Sequence, residues 1–325
     1  MNTTEFIINT EKLSKNFGPV TAVDGLDLQV KPGEIFGLVG PDGAGKTTSM
    51  RMLAAIMDPT AGNATIAGLD LRRQAEALKQ HIGYMAQQFA LYRDLTVLEN
   101  INFFADVFGV RGQKRRQRTE KLLEFARLTE FTGREADQLS GGMKKKLGLA
   151  CALIHEPDIL YLDEPTTGVD PVSRREFWDI LANLHVEGTT ILVNTPYMDE
   201  AERCARVGLM YGGRLVEQGT PQQIKSLIPG ELVEFRPESE RQHGIGLLRH
   251  TNRLLTAQDG VLEVQTYGDL MHVFVDDADH RRPELEAALQ AEEISMLDFR
   301  RTMPRMEEAF ISLINKLEAE TGVTQ

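Results

Sequence analysis

The segment 40–47 constrains this chain more than any other, because its glycines, lysine and threonine have the spacing of a phosphate-binding loop. The apolar run before it, 34–39, predicts a short buried strand, and residues 48–57 after it predict a helix. In that setting the backbone N–H groups of the loop can bind phosphate oxygens at the start of the helix. The context therefore favours a nucleoside triphosphate site over a chance glycine-rich turn.

Two side chains of this loop have defined tasks in such a site. Lys46 is expected to reach the β- and γ-phosphates, and the hydroxyl group of Thr47 is expected to bind Mg²⁺. The other predicted contacts with the nucleotide come from the loop and the first helical turn: Gly40, Pro41, Asp42, Gly43, Ala44, Gly45 and Thr48. A nucleotide with Mg²⁺ is therefore the predicted ligand.

A second apolar run, 159–162, ends in two acidic residues, Asp163 and Glu164. It predicts a buried strand that brings both carboxylates to its C-terminal end. There Asp163 can hold Mg²⁺ through water, and Glu164 can polarise the attacking water molecule. The alternative is that the two acids cap the following helix, but a phosphate loop in the same chain favours the catalytic interpretation.

A second anion-binding device is predicted at Ser140, Gly141 and Gly142, which begin a helix with bare backbone N–H groups. The chain then has two helix starts that can bind phosphate but one pair of catalytic carboxylates. This arrangement suggests a composite site, in which the second helix start serves a nucleotide bound to a partner subunit.

In order and in kind, these motifs resemble those of the ATP-binding subunit of ATP-binding-cassette (ABC) transporters, over about residues 10–224. The resemblance implies an α/β phosphate-loop NTPase core at 5–228, with an antiparallel β subdomain and a helical subdomain at about 88–153. It implies ATP and Mg²⁺ as ligands, and ATP hydrolysis that powers a membrane exporter of drugs or amphiphilic compounds. The implied partners are a second cassette, in a homodimer or a heterodimer, and membrane-spanning permease subunits.

The resemblance also assigns roles outside the motifs described so far. Gln87 stands where the family has a glutamine that contacts Mg²⁺ and the attacking water, so the implied catalytic residues are Glu164, Lys46 and Gln87. Phe17 stands where the family stacks an aromatic ring on adenine; alternatively it is an ordinary aromatic at a strand end. The segment 89–93 is the implied contact with a membrane subunit.

The clearest departure from the family pattern is Pro196, which stands where the family has a switch histidine. Proline has neither a side-chain donor nor a backbone N–H group, so it cannot contact a γ-phosphate in that way. Losing one such contact typically costs about 3–4 kcal/mol of transition-state stabilisation. The chain is then a slow ATPase, or half of an unequal pair, or a cassette in which Asn194 or Thr195 replaces the histidine. A smaller departure is Met143, in place of the usual glutamine.

The composition of the chain limits which functions and locations are plausible. A net charge of −12 disfavours broad nucleic-acid binding, and the two cysteines, Cys151 and Cys204, suit a reducing cytoplasm. The sequence has no run of about 18 apolar residues, which is the length needed to cross a bilayer. A transport path would therefore come from another chain. The expected location is peripheral, on the cytoplasmic face of the cell membrane. The alternative functions are a soluble ABC ATPase without a transport role and a regulatory ATP-binding module with little turnover.

The character of the sequence changes in the last hundred residues. Alternating runs at 231–236, 261–267 and 271–275 predict half-buried strands, and helices are expected around 247–255 and 283–290. A last helix is predicted at 306–317. Residues 231–325 are therefore predicted to form a small accessory α/β domain, which resembles the C-terminal extension of drug-export cassettes and is expected to support dimerisation or regulation.

Overall fold

The computed structural model describes residues 5–88 and 91–321, and these fall into two compact units, one up to Thr220 and one from Pro221 onward. The strands of the first unit are β1 (Ile8–Phe17), β2 (Val20–Leu26), β3 (Gln29–Val30), β4 (Ile35–Val39), β5 (Ala61–Ile66), β6 (Leu69–Asp70), β7 (Ile82–Met85), β8 (Ile159–Asp163), β9 (Thr190–Thr195), β10 (Arg206–Tyr211) and β11 (Arg214–Gly219). Its α-helices are α1 (Lys46–Leu53), α2 (Ala75–Leu78), α3 (Val97–Val107), α4 (Gly112–Phe125), α5 (Gly141–Leu153), α6 (Pro171–Val186) and α7 (Met198–Ala201).

The second unit contains the strands β12 (Glu231–Glu238), β13 (Val261–Tyr267), β14 (Leu270–Val275) and β15 (Ser295–Thr302). Its helices are α8 (Pro221–Lys225), α9 (Gly244–Thr256), α10 (Ala278–Ala291) and α11 (Met306–Thr321). Helix α8 belongs to this unit, although the sequence placed the domain boundary after it, between 228 and 231. None of the helices in 5–88 and 91–321 is long and apolar enough to cross a membrane.

A mixed sheet in the first unit brings the candidate site residues together. Its strands lie in the order β11–β10–β4–β9–β8–β7, and all neighbours are parallel except β11 and β10. The register places Asn194 opposite Leu38 on one side and opposite Asp163 on the other. Because parallel strands end at the same edge, the residues that follow β4, β8 and β9 lie close together, which is where ligands bind in such sheets.

A second sheet of the first unit joins β1 to β2, β3 and β5 in antiparallel pairs, and β5 to β6. Residues 18 and 19 form the turn between β1 and β2. Leu13 and Leu26 from this sheet pack in one buried core with Phe36 and Tyr161 of the mixed sheet. This confirms the predicted antiparallel region beside the nucleotide core.

Helices α3, α4 and α5 confirm the helical character predicted for the middle of the cassette. Helix α3 begins with a capping box, in which the Thr96 side chain accepts from the backbone N–H of Glu99 and the Glu99 carboxylate accepts from that of Thr96. Helix α5 begins after Ser140, whose hydroxyl oxygen accepts a hydrogen bond from the backbone N–H of Met143. Phe89 and Ala90, which belong to the predicted membrane contact, lie outside the described residues.

Helix α1 ends at Leu53, four residues before the predicted end, because a Schellman motif closes it. Ala55 has a φ of 52°, and its backbone N–H donates to the carbonyl of Met52. The backbone N–H of Ile56 donates to the carbonyl of Arg51 at 3.0 Å. These are the two closing bonds of that motif. The apolar pattern continues past the helix, so periodicity alone overestimated its length.

The second unit has one antiparallel sheet among its described residues, in the order β13–β14–β12–β15. The three strands and three helices predicted in this region are confirmed, and α9 and α10 cover one face of the sheet over Val233, Phe235 and Val273. Strand β15 was not predicted. It is an edge strand of mostly exposed residues with few apolar ones, so it lacks the alternation that a half-buried strand shows.

Candidate nucleotide-binding site

The phosphate loop connects β4 to α1, and its glycines are required by close backbone contacts. Gly45 has a φ of 97°, and a Cβ atom there would lie 2.4 Å from the carbonyl oxygen of Ala22. A Cβ atom on Gly40 would lie 2.2 Å from the carbonyl oxygen of Met210. Since α1 begins at Lys46, its first N–H groups lack partners within the helix. The loop therefore presents donors suited to phosphate oxygens at the carboxyl edge of the sheet.

Lys46 is buried in this loop, and its ammonium group folds back onto the main chain. Its Nζ donates to the carbonyl oxygens of Gly40 and Pro41, each at 2.8 Å. Burial lowers the pKa of Lys46, and the nearby carboxylates of Glu164 and Asp163 oppose that shift. Within residues 5–88 and 91–321 the acceptors of this cation are therefore two uncharged carbonyls, and a phosphate group would offer it stronger acceptors.

Thr47 and Asp163, the two predicted Mg²⁺ ligands from the loop and from β8, are in direct contact. The hydroxyl of Thr47 donates to Oδ1 of Asp163 at 2.9 Å, and the hydroxyl of Tyr84 donates to Oδ2 at 3.3 Å. Burial, and then the charge of Asp163, raise the pKa of Tyr84 to about 12, so it remains a donor. The sheet thus places a hydroxyl and a carboxylate oxygen together, which suits a hard cation such as Mg²⁺.

Asn194 also belongs to this group, although the sequence suggested it only as a replacement for the histidine. Its side-chain amide donates to Oδ1 of Asp163, and its Nδ2 lies 3.4 Å from the hydroxyl of Thr47. The residue is fully buried. In the sequence, the position of Asn194 at the end of a β-strand was the one sign of a role in the site. Its partner, Asp163, becomes apparent only from the parallel register of β8 and β9.

Glu164 and Gln87, the predicted catalytic pair, are joined by a hydrogen bond. Nε2 of Gln87 donates to Oε2 of Glu164 at 2.8 Å, and the hydroxyl of Thr167 donates to the same oxygen at 3.2 Å. The main chain of Glu164 is left-handed, with a φ of 48°, and its N–H donates to the carbonyl of Asn194 at 2.9 Å. Because this conformation is uncommon outside glycine, surrounding contacts must hold it, as often occurs at functional sites.

The segment 140–142 lies beside the segment 167–170. A Cβ atom on Gly142 would lie 2.6 Å from the Cβ atom of Ser173 in α6, so the two helix starts pack closely. A cavity of about 230 Å³ lies between the segments and is lined by Gly141, Thr167, Gly168, Val169, Leu91, Arg93, Ala136, Lys144 and Lys145. Its cationic side chains and the helix start make it suitable for an anion.

The residues around Pro196 have partners that limit what they can do. The hydroxyl of Thr195 donates to the buried carboxylate of Glu200 at 2.7 Å, and Arg174 donates to the other oxygen of that carboxylate at 2.5 Å. Thr195 thus supports the loop from inside, while Asn194 faces Asp163. Of the two proposed replacements for the histidine, Asn194 is therefore the one that lies with the predicted ligands.

Two histidines of the first unit, His155 and His81, have partners away from position 196. Nε2 of His155 lies 3.0 Å from the carbonyl oxygen of Ile82, and its ring stacks on Phe108 with the centroids 3.7 Å apart. Nδ1 of His81 lies 2.6 Å from a carboxylate oxygen of Asp158. Burial lowers the pKa of His155 to about 4, so this ring is neutral at neutral pH.

Phe17, the predicted adenine contact, lies at the end of β1 with 48% of its surface exposed. The ammonium group of Lys15 lies 5.3 Å from the centroid of its ring. An exposed ring at a strand end is available for stacking, and the adjacent cation suits a phosphorylated ligand.

A triphosphate with a divalent cation fits the residues that are present. The ammonium group of Lys46 is hydrogen-bonded to two uncharged carbonyls. A Cβ atom on Gly45 would clash with the carbonyl oxygen of Ala22, so the loop could not keep this conformation. Within the described residues, Oδ1 of Asn194 is buried and has no hydrogen-bond partner. Buried polar atoms that lack partners mark positions where a ligand or water belongs.

Comparison with known proteins gives the family of the chain. The family model described as ABC transporter matches residues 23–167. The chain is 46% identical over 222 residues to the probable multidrug ABC transporter ATP-binding protein YbhF of Escherichia coli, covering 68% of this chain and 38% of that protein. It is 35% identical over 309 residues to the daunorubicin resistance ATP-binding protein DrrA2 of Streptomyces coeruleorubidus, covering 95% of each. This chain therefore spans well under half of the first relative and nearly all of the second.

Solved structures agree with this assignment. The structure of an ATP-binding subunit of an ABC transporter superposes with a TM-score of 0.63 at 27% identity, covering 68% of this chain and 92% of that one. A dimeric, post-hydrolysis structure of the cassette MJ0796 bound to ADP and phosphate superposes with a TM-score of 0.60 at 26% identity, covering 66% of this chain and 98% of that one. These findings confirm the predicted phosphate-loop NTPase fold, and the chain belongs to the ATP-binding proteins of ABC transporters.

Proposed function

We propose that this chain is the subunit that binds and hydrolyses ATP for a membrane exporter of drugs or other amphiphilic compounds. The observation that carries the proposal is the convergence of Lys46, Thr47, Asp163, Gln87 and Glu164 at one edge of the parallel sheet. The names of the relatives, a multidrug transporter protein and a daunorubicin resistance protein, support export as the process that is powered.

Binding is assigned to the loop and the strand ends. Lys46 and the N–H groups at the start of α1 would hold the phosphates, and Phe17 would stack on adenine. Thr47, Asp163 and Gln87 would hold Mg²⁺, which when bound neutralises charge on the phosphates. Asn194 orients the carboxylate of Asp163 through its amide. Binding in this site requires no contact from position 196.

Hydrolysis is assigned to Glu164, with Gln87 as its partner. The carboxylate accepts hydrogen bonds from Gln87 and Thr167, which fix the oxygen that would orient the attacking water. Pro196 offers no donor to the γ-phosphate, and one such donor is typically worth about 10²–10³ in rate. The chain would therefore bind ATP well and hydrolyse it slowly, or act beside a faster cassette in an unequal pair.

A dimer would complete each site. Each nucleotide would lie between the phosphate loop of one chain and the segment 140–142 of the other, where the basic cavity faces the helix start. The partner is a second cassette, identical or different. The dimeric structure of MJ0796 with ADP and phosphate supports this arrangement. ATP binding would close the pair, and hydrolysis would open it, so the cassette is a two-state element.

The helical region supplies a surface for membrane-spanning subunits, which would contain the transport path. Tyr92 and Phe103 are exposed, with ring centroids 4.5 Å apart, and Val107 is 61% exposed. Exposed apolar groups this close together mark a surface for protein contacts. The chain would then be peripheral, on the cytoplasmic face of the cell membrane.

One rival function is favoured by a specific observation. A regulatory module that closes on ATP without turnover would need no γ-phosphate donor at position 196, and Pro196 provides none. A soluble cassette ATPase without a transport role is the other alternative. Fractionation tests it directly, because a transport subunit sediments with membranes that contain its permease, whereas a soluble ATPase does not.

The proposal is tested by ATP hydrolysis and by export. The purified native chain should hydrolyse ATP in the presence of Mg²⁺, and Glu164→Gln should bind ATP but lose turnover. Cells that carry Glu164→Gln in place of the native chain should accumulate more of a fluorescent amphiphilic dye. Equal hydrolysis by the two proteins would refute the assigned chemistry, and equal dye accumulation would refute the assigned process.

A further inference from the structure

Lys145, in helix α5, makes two contacts with the catalytic pair that the motifs do not assign. Its Nζ donates to the carbonyl oxygen of Gln87 at 3.1 Å and to the carbonyl oxygen of Glu164 at 3.3 Å. The side chains of Gln87 and Glu164 are joined to each other at 2.8 Å. One ammonium group therefore holds the main chains of both residues whose side chains are assigned to hydrolysis.

The contact with Glu164 matters because the main chain there is left-handed, with a φ of 48°. Its N–H donates to the carbonyl of Asn194 at 2.9 Å, and its own carbonyl also accepts from the N–H of Thr167 at 3.3 Å. Lys145 adds the charged member of this set. A strained residue keeps its conformation only when such contacts determine it, so losing the charged one should let the carboxylate move.

The three consecutive lysines of α5 face different partners. Nζ of Lys144 donates to the carbonyl oxygen of Asp137 at 3.0 Å, and Nζ of Lys146 donates to the carboxylate of Glu176 at 3.0 Å. Lys145 is the one of the three that contacts Gln87 and Glu164. Burial lowers the pKa of Lys145, and the nearby carboxylate of Glu164 opposes that shift. A better control is Lys121 in α4, whose ammonium group donates to the carboxylate of Glu187 at 2.9 Å.

We propose that Lys145 is a positioning residue for ATP hydrolysis, which fixes the main chains of Gln87 and Glu164 relative to helix α5. The inference rests on the proposed function and adds a link to it. Helix α5 begins at the segment 140–142, which in the proposed dimer contacts the nucleotide of the partner. Lys145 then connects that helix start to the catalytic pair of its own chain.

The test compares Lys145→Met, Lys145→Arg and Lys121→Met in this chain. Lys145→Met should lower kcat by about tenfold to a hundredfold, because small displacements of a catalytic group have effects of this size. The Kd for ATP, measured at a chain concentration too low for dimerisation, should stay within about twofold of the native value, since Lys145 contacts the main chains of Gln87 and Glu164 and not the loop that holds the phosphates. Lys145→Arg should restore most of kcat, and Lys121→Met should leave it unchanged, because Lys121 is exposed in α4 and pairs with Glu187.

Three outcomes would overturn the inference: an unchanged kcat in Lys145→Met, a matching loss of ATP affinity, or no recovery in Lys145→Arg. If Lys145→Met does not fold, Lys145→Gln replaces it, and this variant should show the same loss of kcat at native ATP affinity. The native chain and Glu164→Gln are measured in parallel. If those two are equally inactive, the proposed function fails and the inference fails with it. If they differ while Lys145→Met keeps native kcat, only the inference fails.

Discussion

Both units of the chain contain a buried group of charged side chains, and the two groups differ in how their charges are paired. In the second unit, His272 lies between two carboxylates, with Nε2 at 3.2 Å from Oε2 of Glu234 and Nδ1 at 3.1 Å from Oε1 of Glu308. Glu234 also accepts from Arg300 at 2.9 Å, and Glu308 accepts from the backbone N–H of Arg305 at 2.6 Å. Both carboxylates of this group therefore accept hydrogen bonds from N–H groups of the same unit.

In the first unit, the pairing is incomplete. Among the described residues, the ammonium group of Lys46 donates to two uncharged carbonyls rather than to a carboxylate, whereas in the second unit the guanidinium group of Arg300 donates to the carboxylate of Glu234. A buried charge is costly unless a strong partner stabilises it. The difference indicates that the group in the first unit is arranged for a charged ligand, whereas the group in the second unit stabilises its own fold.

The largest expected effect concerns Lys46. Lys46→Ala removes the cation that would contact the phosphates, and it should raise the Kd for ATP by about a thousandfold, or about 4 kcal/mol. Isothermal titration with ATP and Mg²⁺ measures this directly. The matched control is Lys12→Ala, whose ammonium group is 79% exposed and paired with Asp27, and it should leave the Kd unchanged. An unchanged Kd in Lys46→Ala would contradict the inference that the buried group of the first unit is arranged for a charged ligand.

The next effect concerns His272. His272→Leu leaves the buried carboxylate of Glu308 without its hydrogen bond to the imidazole ring, and it should lower the free energy of unfolding of the second unit by about 2 kcal/mol. Hydrogen exchange of the amides in β12 and β14 measures the loss. His280→Leu is the control, because that side chain is 66% exposed. An increase in the Kd for ATP in His272→Leu would contradict the inference that the group around His272 stabilises only its own fold.

The smallest effect is a pH dependence at Glu308. Burial raises the pKa of this carboxyl, but hydrogen bonds from His272 and from the backbone of Arg305 outweigh it, so the net pKa is lowered. A carboxyl whose folded pKa is depressed contributes stability above its unfolded value of about 4.5, and that stability is lost as the pH falls through the folded pKa. Acidification should therefore weaken the protection of the second unit.

Glu308→Gln provides the comparison for this pH dependence. The glutamine keeps an acceptor for His272 but removes the charge. It should lower the free energy of unfolding by about 1 kcal/mol at neutral pH and reduce the loss of stability as the pH falls. Hydrogen exchange of β12 would record both changes. It would be measured from about pH 3 to about pH 7, which covers the pH range in which carboxyl groups titrate. A loss of stability on acidification as steep in Glu308→Gln as in the native chain would show that another group is responsible.

The sequence predicted the first unit well where spacing and chemistry coincide. The segment 40–47 needs its glycines for close contacts and its lysine for phosphate, so the fold and the ligand class follow from the same residues. The catalytic pair of Gln87 and Glu164 was also predicted, and the two side chains are in contact. Their roles in catalysis stay predictions.

Other features depend on contacts between distant segments and could not be read from spacing. The bond from Asn194 to Asp163 depends on the register of two parallel strands, and the contacts of Lys145 depend on how α5 packs beside β7. Strand β15 escaped prediction because an edge strand with charged residues has no clear alternation. The group around His272 joins three strands and a helix, and its members are scattered along the sequence.

The measurement that tests the central claim most directly is ATP turnover by the native chain beside Pro196→His and Glu164→Gln, each at saturating ATP and Mg²⁺. The claim is that the residues this chain contributes to its own site are complete except for one γ-phosphate donor. It predicts slow turnover by the native chain, a rise of about a hundredfold in Pro196→His, and loss of turnover in Glu164→Gln. Native turnover no faster than that of Glu164→Gln, or a Pro196→His variant no faster than the native chain, would contradict it.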